Sequence, residues 1–213
     1  MTYVLYGAPG SGSGIVEAVC AELGVDYETR DLDAAAGEHR AEDYAALNPQ
    51  RKLPTLEFPH GEHLTETLAI VLALDELHRD AEILPPPGTP ERRLALRWMA
   101  FLATELYPLV EIFDYPERFA EPAAATALQR RSLEIRQERW LLLESQVRGP
   151  WLLGSTFCAT DLYISHLSRW DLPADWRREY LPKTVTLADA VAARPALAGV
   201  YARHFRLESV GTA

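Results

Sequence analysis

Two clusters of side chains in this sequence are placed where they could hold a charged ligand or a reactive atom. The first is a pair of hydroxyls, Ser11 and Ser13, in Gly7-Ala8-Pro9-Gly10-Ser11-Gly12-Ser13-Gly14. So many glycines do not sit cheaply in a helix, so this run reads as a loop after a strand. Its hydroxyls could donate to an anion, or simply cap a helix opening at Gly14 or Ile15. The second cluster lies within Asn48 to Thr67, NPQRKLPTLEFPHGEHLTET. Arg51 and Lys52 stand before Leu53-Pro54, and Thr65-Glu66-Thr67 opens a helix. A helix N-terminus presents free N–H groups and a partial positive charge to a carboxylate.

Competing motifs fail on spacing. Gly10-Ser11-Gly12-Ser13-Gly14 partly matches a dinucleotide fingerprint, but Glu17 occupies the third glycine's place. No Gly-Lys-Ser/Thr follows, which excludes a phosphate loop. His60 and His63 flank a turn without the Cys or carboxylate set that a metal site needs. Cys20 shares a stripe with Val16, Val19 and Leu23 and reads as a small buried hydrophobe.

The elements that must position these groups follow from periodicity. Tyr3 to Tyr6 is a short strand. Ile15, Val16, Val19, Cys20 and Leu23 mark a helical face stopped by Gly24, and Tyr27 to Leu32 is a second strand. Glu42 to Leu47 makes a short helix ended by Asn48-Pro49. Thr55 to Phe58 and His63-Leu64, joined by Pro59-His60-Gly61, form a hairpin. Thr65 is a good N-cap for a helix carrying Ile70, Ala73, Leu74 and Leu77. Ile83 to Pro90 is a proline-stiffened linker. No convincing strand follows Glu91. Leu94, Trp98, Phe101, Leu109 and Phe113 suggest one long helix bent at Pro108. Ala123 to Val147 is another, with Leu128, Ser132, Ile135 and Leu142 on a stripe, and Asp161 to Trp170, Leu187 to Ala193 and Ala196 to Phe205 complete the series. The predicted organisation is an α/β module over 1–80, a linker over 81–90 and an all-helical module over 91–213.

Bulk composition narrows the classes. A net charge of −10 argues against nucleic acid, which wants a basic face. No apolar run reaches membrane-span length, so no membrane role is expected. Met1-Thr2-Tyr3 leads straight into a strand, leaving no room for a signal peptide, and two cysteines make no disulfide framework. These features predict a cytoplasmic protein.

The order β-α-β-α-β-β-α, Leu53-Pro54 before a hairpin and Glu66-Thr67 at the next helix resemble the cytosolic glutathione S-transferases, in particular the bacterial-like, serine-type members. Gly154-Ser155-Thr156-Phe157-Cys158-Ala159-Thr160-Asp161 resembles that family's buried capping box, with Cys158 where Ser or Thr is expected. The resemblance spans essentially the whole chain. It implies a thioredoxin-like N-terminal domain, a helical C-terminal domain, a cis Leu53-Pro54 bond, and glutathione as cosubstrate without a metal. Leu53's backbone would then pair with the peptide ligand, Glu66 and Thr67 would hold its γ-glutamyl head, and Lys52, or else Arg51, could meet a carboxylate; either cation could equally be a solvated loop charge.

The implied reaction is attack of glutathione's thiolate on a small electrophile, the chemistry of detoxification. A free thiol is mostly protonated at neutral pH, so the site must stabilise the anion. Ser11, nearer the strand end, is the first candidate, Ser13 the second and Tyr6 a third. The electrophile pocket would lie around Trp98, Phe101, Glu105 and Tyr107, of which Tyr107 has a hydroxyl suited to a site edge. Asp161 reads as a folding residue. A homodimer is implied by the family alone. A glutathione-dependent lyase, isomerase or dehalogenase would share these motifs, as would a non-catalytic binding or ligand-storage protein of the same fold.

Overall fold

In a computed structural model the described residues are 2–170 and 172–205. By contact they form two compact units. One comprises the chain up to Ile83 together with the segment from Ala192 on, and the other runs from Leu84 to Val191. The helical series therefore does not stay together to the end, because its last members pack with the α/β part.

The first unit is built on a four-stranded sheet: β1 (Tyr3–Gly7), β2 (Tyr27–Asp31), β3 (Thr55–Glu57) and β4 (His63–Thr65), in the order β2-β1-β3-β4. β1 runs parallel to β2 and antiparallel to β3, and β3 is antiparallel to β4. This is the thioredoxin-like mixed sheet. Central β1 has Tyr3, Leu5 and Tyr6 buried, whereas edge strand β2 carries Glu28, Arg30 and Asp31 toward solvent, a charge pattern that protects an edge from further pairing. Helix α1 (Ser13–Leu23) buries Ile15, Val16, Val19 and Cys20 completely. It ends at Gly24, whose φ of 65° lets its N–H reach the carbonyls of Ala21 and Cys20. α2 (Glu42–Leu47) and α3 (Thr67–Leu77) follow the predicted spans closely.

The N-terminus of α3 corrects the sequence reading. Thr65 ends β4, and the N-cap is Glu66, which makes no side-chain cap. Glu66 has φ 67° and ψ 111°, a backbone state unusual for a residue with a Cβ and costing on the order of 1–3 kcal/mol.

In the second unit, Thr89 caps α4 (Pro90–Phe101) by accepting from Arg92 N–H at 3.1 Å. A π-helical turn over Leu102–Leu106 joins it to α5 (Tyr107–Asp114). Pro108 explains the turn: it lacks an N–H, and its ring crowds the carbonyl four residues back, so the ladder widens there. α6 (Pro122–Glu144) buries Ser132, Arg136, Trp140 and Leu143, while Leu142, predicted for the inward stripe, is exposed. α7 (Ala159–Ser168) is buried throughout. Asp161 accepts from the N–H groups of Cys158 and Leu152, both at 2.9 Å, so the carboxylate does its half of the capping box. α8 (Ala174–Tyr180) has no counterpart in the sequence reading, and α9 (Pro182–Ala192) follows it. The buried Glu144 carboxylate accepts from the N–H groups of Lys183 and Thr184, each at 2.8 Å, capping α9 from a distant helix.

The last elements among the described residues are a short 3-10 turn (Pro195–Leu197) and α10 (Ala198–His204). These belong to the first unit, where Arg194 makes two 2.6 Å hydrogen bonds to Glu22.

Candidate functional site

Strand register decides which loops meet. Tyr6 pairs with Thr55, Thr55 pairs with Thr65, and Gly7 pairs with Asp31. The loop after β1, the segment before β3 and the junction after β4 therefore emerge at the same end of the sheet. They do so in the spatial order serine loop, Leu53-Pro54, Glu66-Thr67. With strands about 4.8 Å apart, this end is roughly 10 Å wide from β1 to β4.

On the β1 side the two serines are bonded to their own loop. Ser11 Oγ lies 2.8 Å from Ala8 O and 2.9 Å from Ser13 Oγ, and accepts from the N–H groups of Ala8 and Ser13, each at 3.3 Å. Ser13 Oγ lies 3.1 Å from Ala8 O and accepts from Ala8 N–H at 3.2 Å. Ser13 is the first residue of α1 and only 1% exposed, whereas Ser11 is partly exposed. The close approach of Ser13 to β1 requires Gly7, because a Cβ there would lie 2.3 Å from Ser13 Cβ. Tyr6 is buried, donates to Glu57 at 3.0 Å and accepts from Arg30 at 2.9 Å. Burial and then Glu57 push its phenol above the ordinary tyrosine range.

In the middle, Leu53-Pro54 is cis. The Leu53 N–H and C=O have no hydrogen-bond partner among the described residues. Their neighbours are held: the Lys52 carbonyl accepts from Tyr44 Oη at 2.8 Å and Asn48 Nδ2 at 2.7 Å. Lys52 itself is exposed, and Arg51 is paired with Glu42 at 2.9 Å.

On the β4 side, Glu66 is exposed and Thr67 is buried at the first position of α3. The first α3 hydrogen bond runs from Ile70 N–H to Glu66 O, so the N–H groups of the preceding turn have no partner within the helix and no side-chain cap among the described residues. Gln50 Nε2 donates to Glu66 Oε1 at 3.1 Å. The sequence reading passed over Gln50; only the register of β3 and β4 brings it to Glu66.

Tyr107 lies in the second unit, half-buried, its ring 5.4 Å from that of Trp170. Cys20 and Cys158 are buried and free, and burial pushes both thiols up to about 12. Among the described residues no cluster of His, Cys, Asp and Glu could hold a metal ion, and no helix is long and apolar enough to cross a membrane.

Residues 13–77 match the glutathione S-transferase N-terminal domain. The chain is 32% identical over 202 residues to the uncharacterized GST-like protein YncG of Escherichia coli K12, covering 94% of this chain and 97% of the relative. This chain belongs to the glutathione S-transferase family. It is also 26% identical to glutathione S-transferase GstA of Escherichia coli O157:H7, over 90% of this chain and 93% of that protein. A glutathione transferase homologue from Sulfitobacter, solved with bound glutathione, superimposes with a TM-score of 0.84 at 25% identity, covering 94% of this chain and 97% of that one. The transferase fold accounts for the mixed sheet and the helical second unit alike.

Proposed function

We propose that this protein is a glutathione transferase of the serine type, joining glutathione to a small electrophile. The observation that carries the reading is the Leu53 backbone, unpaired among the described residues, set between the serine loop and the start of α3, which has no side-chain cap. An extended tripeptide fits a sheet end roughly 10 Å wide. Its central residue can pair with Leu53 as an added strand. Its α-carboxylate meets the free N–H groups of α3, and its ammonium meets Glu66, which Gln50 orients. Lys52 is the proposed partner of the other carboxylate. Arg51, paired with Glu42, is the alternative.

When bound, glutathione supplies a thiolate nucleophile. The protein's part is to donate to that sulfur, and proton accounting favours Ser11. Two hydroxyl protons serve the Ser11-Ser13-Ala8 cluster. If Ser13 keeps its donation to Ala8 O, the Ser11 proton can turn to an incoming sulfur without orphaning the carbonyl. Ser11 continues to accept from two backbone N–H groups, which polarise its hydroxyl. Ser13, fully buried, serves as the support. Tyr107 is the proposed residue of the electrophile pocket. We also propose that the chain acts in the cytoplasm as a homodimer, with residues 1–80 and 91–213 as its two functional modules joined by 81–90.

Titration calorimetry with glutathione, followed by turnover of 1-chloro-2,4-dinitrobenzene, tests the reading. Micromolar-to-millimolar binding and turnover are expected. Binding without turnover of any aryl halide points to a lyase, isomerase or non-catalytic relative, and absence of binding sinks the proposal.

A further inference from the structure

The serine loop has a second tether, at Gly10. The Gly10 N–H donates to Nδ1 of His204 at 3.1 Å, and His204 Nε2 lies 2.9 Å from Glu17 Oε2. An amide N–H can only donate, so Nδ1 carries no proton and the ring proton sits on Nε2, donated to Glu17. The His204 side chain is 0% exposed and that of Glu17 is 7% exposed, so water does not substitute for these contacts. The carboxylate is fixed in turn by Arg203 Nε at 3.1 Å, and Arg203 also pairs with Asp31 at the end of β2. A buried relay thus runs from α1, through the imidazole of α10, to the amide immediately before Ser11.

We propose that His204 is a positioning residue for the thiolate site: by holding the Gly10 amide it sets where Ser11 Oγ points. Gly10 adopts φ 76°, a region in which the loop has no intrinsic preference to stop, since glycine populates both signs of φ. The Ala8 bonds fix the loop's inner edge, and His204 fixes the residue whose ψ aims Ser11. His204 touches no reacting atom in this scheme. The role rests on the transferase reading given above.

Two substitutions separate the ring's two nitrogens. In His204→Asn the amide oxygen takes the place of Nδ1 and still accepts from Gly10, while the link to Glu17 is lost. In His204→Gln the amide nitrogen takes the place of Nε2 and still donates to Glu17, leaving the Gly10 N–H without its acceptor. Glutathione affinity is read by calorimetry, and the pKa of the bound thiol by ultraviolet titration. Thermal melts control for folding. H204Q should bind glutathione within about twofold of wild type yet raise the bound thiol's pKa by about half a unit or more. H204N should match wild type in both. Equal pKa changes in both variants, or a loss in H204Q confined to melting temperature or affinity, overturn the positioning role. A wild type that binds no glutathione sinks the transferase reading and this role with it. A wild type that binds, with H204Q indistinguishable from it, sinks this role alone.

Discussion

Between Ala8 and Ser13 both hydroxyls are engaged inside the loop, whereas at Leu53 and at the start of α3 backbone groups have no partner among the described residues. On the proposed function, the contrast separates two tasks. A peptide recognised through its own backbone and termini needs free donors and acceptors, and these stand open on the β3 and β4 side. Stabilising one thiolate needs one donor aimed from a fixed place, and a loop saturated with its own hydrogen bonds supplies that rigidity. Substitutions on the open side should therefore change affinity, and those on the saturated side should change stability or reactivity.

The largest effect is expected at Glu66. Glu66→Ala should weaken glutathione binding by about 1.5–3 kcal/mol, the scale of a lost charge-assisted hydrogen bond. Glu66→Gly should weaken binding as much while raising the melting temperature, because glycine relieves a backbone held at φ 67°. Unchanged affinity in either variant would erase the contrast by making the β4 side as indifferent as an ordinary helix start. Next, Gly7→Ala forces Ser13 away from β1. It should cost about 1–3 kcal/mol of stability, the range for overpacking a filled site, seen as a lower denaturant midpoint. A neutral Gly7→Ala would mean the loop is looser than its bonds imply. The smallest effect belongs to the thiols. With both cysteines buried and raised to about 12, the native protein should resist iodoacetamide even at pH 9, and two equivalents should react after denaturation.

Much of this was legible from local rules. Gly24 stops α1 where a left-handed residue is needed, the hairpin turn is written in Pro59-His60-Gly61, and Asp161 sits three residues after its cap. The rest depends on contacts far apart in sequence. Thr65 obeys the capping preference better than Glu66, yet the β3–β4 register extends β4 through Thr65 and moves the cap one residue on. Gln50 is an ordinary loop residue until that same register sets it beside Glu66. α8 is charged and buries no residue fully, so it has no apolar stripe to read. The return of the last described helix to the first unit buries Leu197, Val200 and Tyr201 and pairs Arg194 with Glu22 and Arg203 with Glu17, partners that no local periodicity announces.

The central claim is that Ser11 faces the sulfur and Ser13 supports it. Ultraviolet titration of the thiol of bound glutathione, on Ser11→Ala and Ser13→Ala side by side with thermal melts, tests it most directly. Ser11→Ala should raise the bound thiol's pKa toward its free value and lower turnover about tenfold, equivalent to about 1.4 kcal/mol of transition-state stabilisation, with affinity and melting temperature nearly unchanged. Ser13→Ala should chiefly lower the melting temperature. A pKa raised by Ser13→Ala and not by Ser11→Ala would contradict the account.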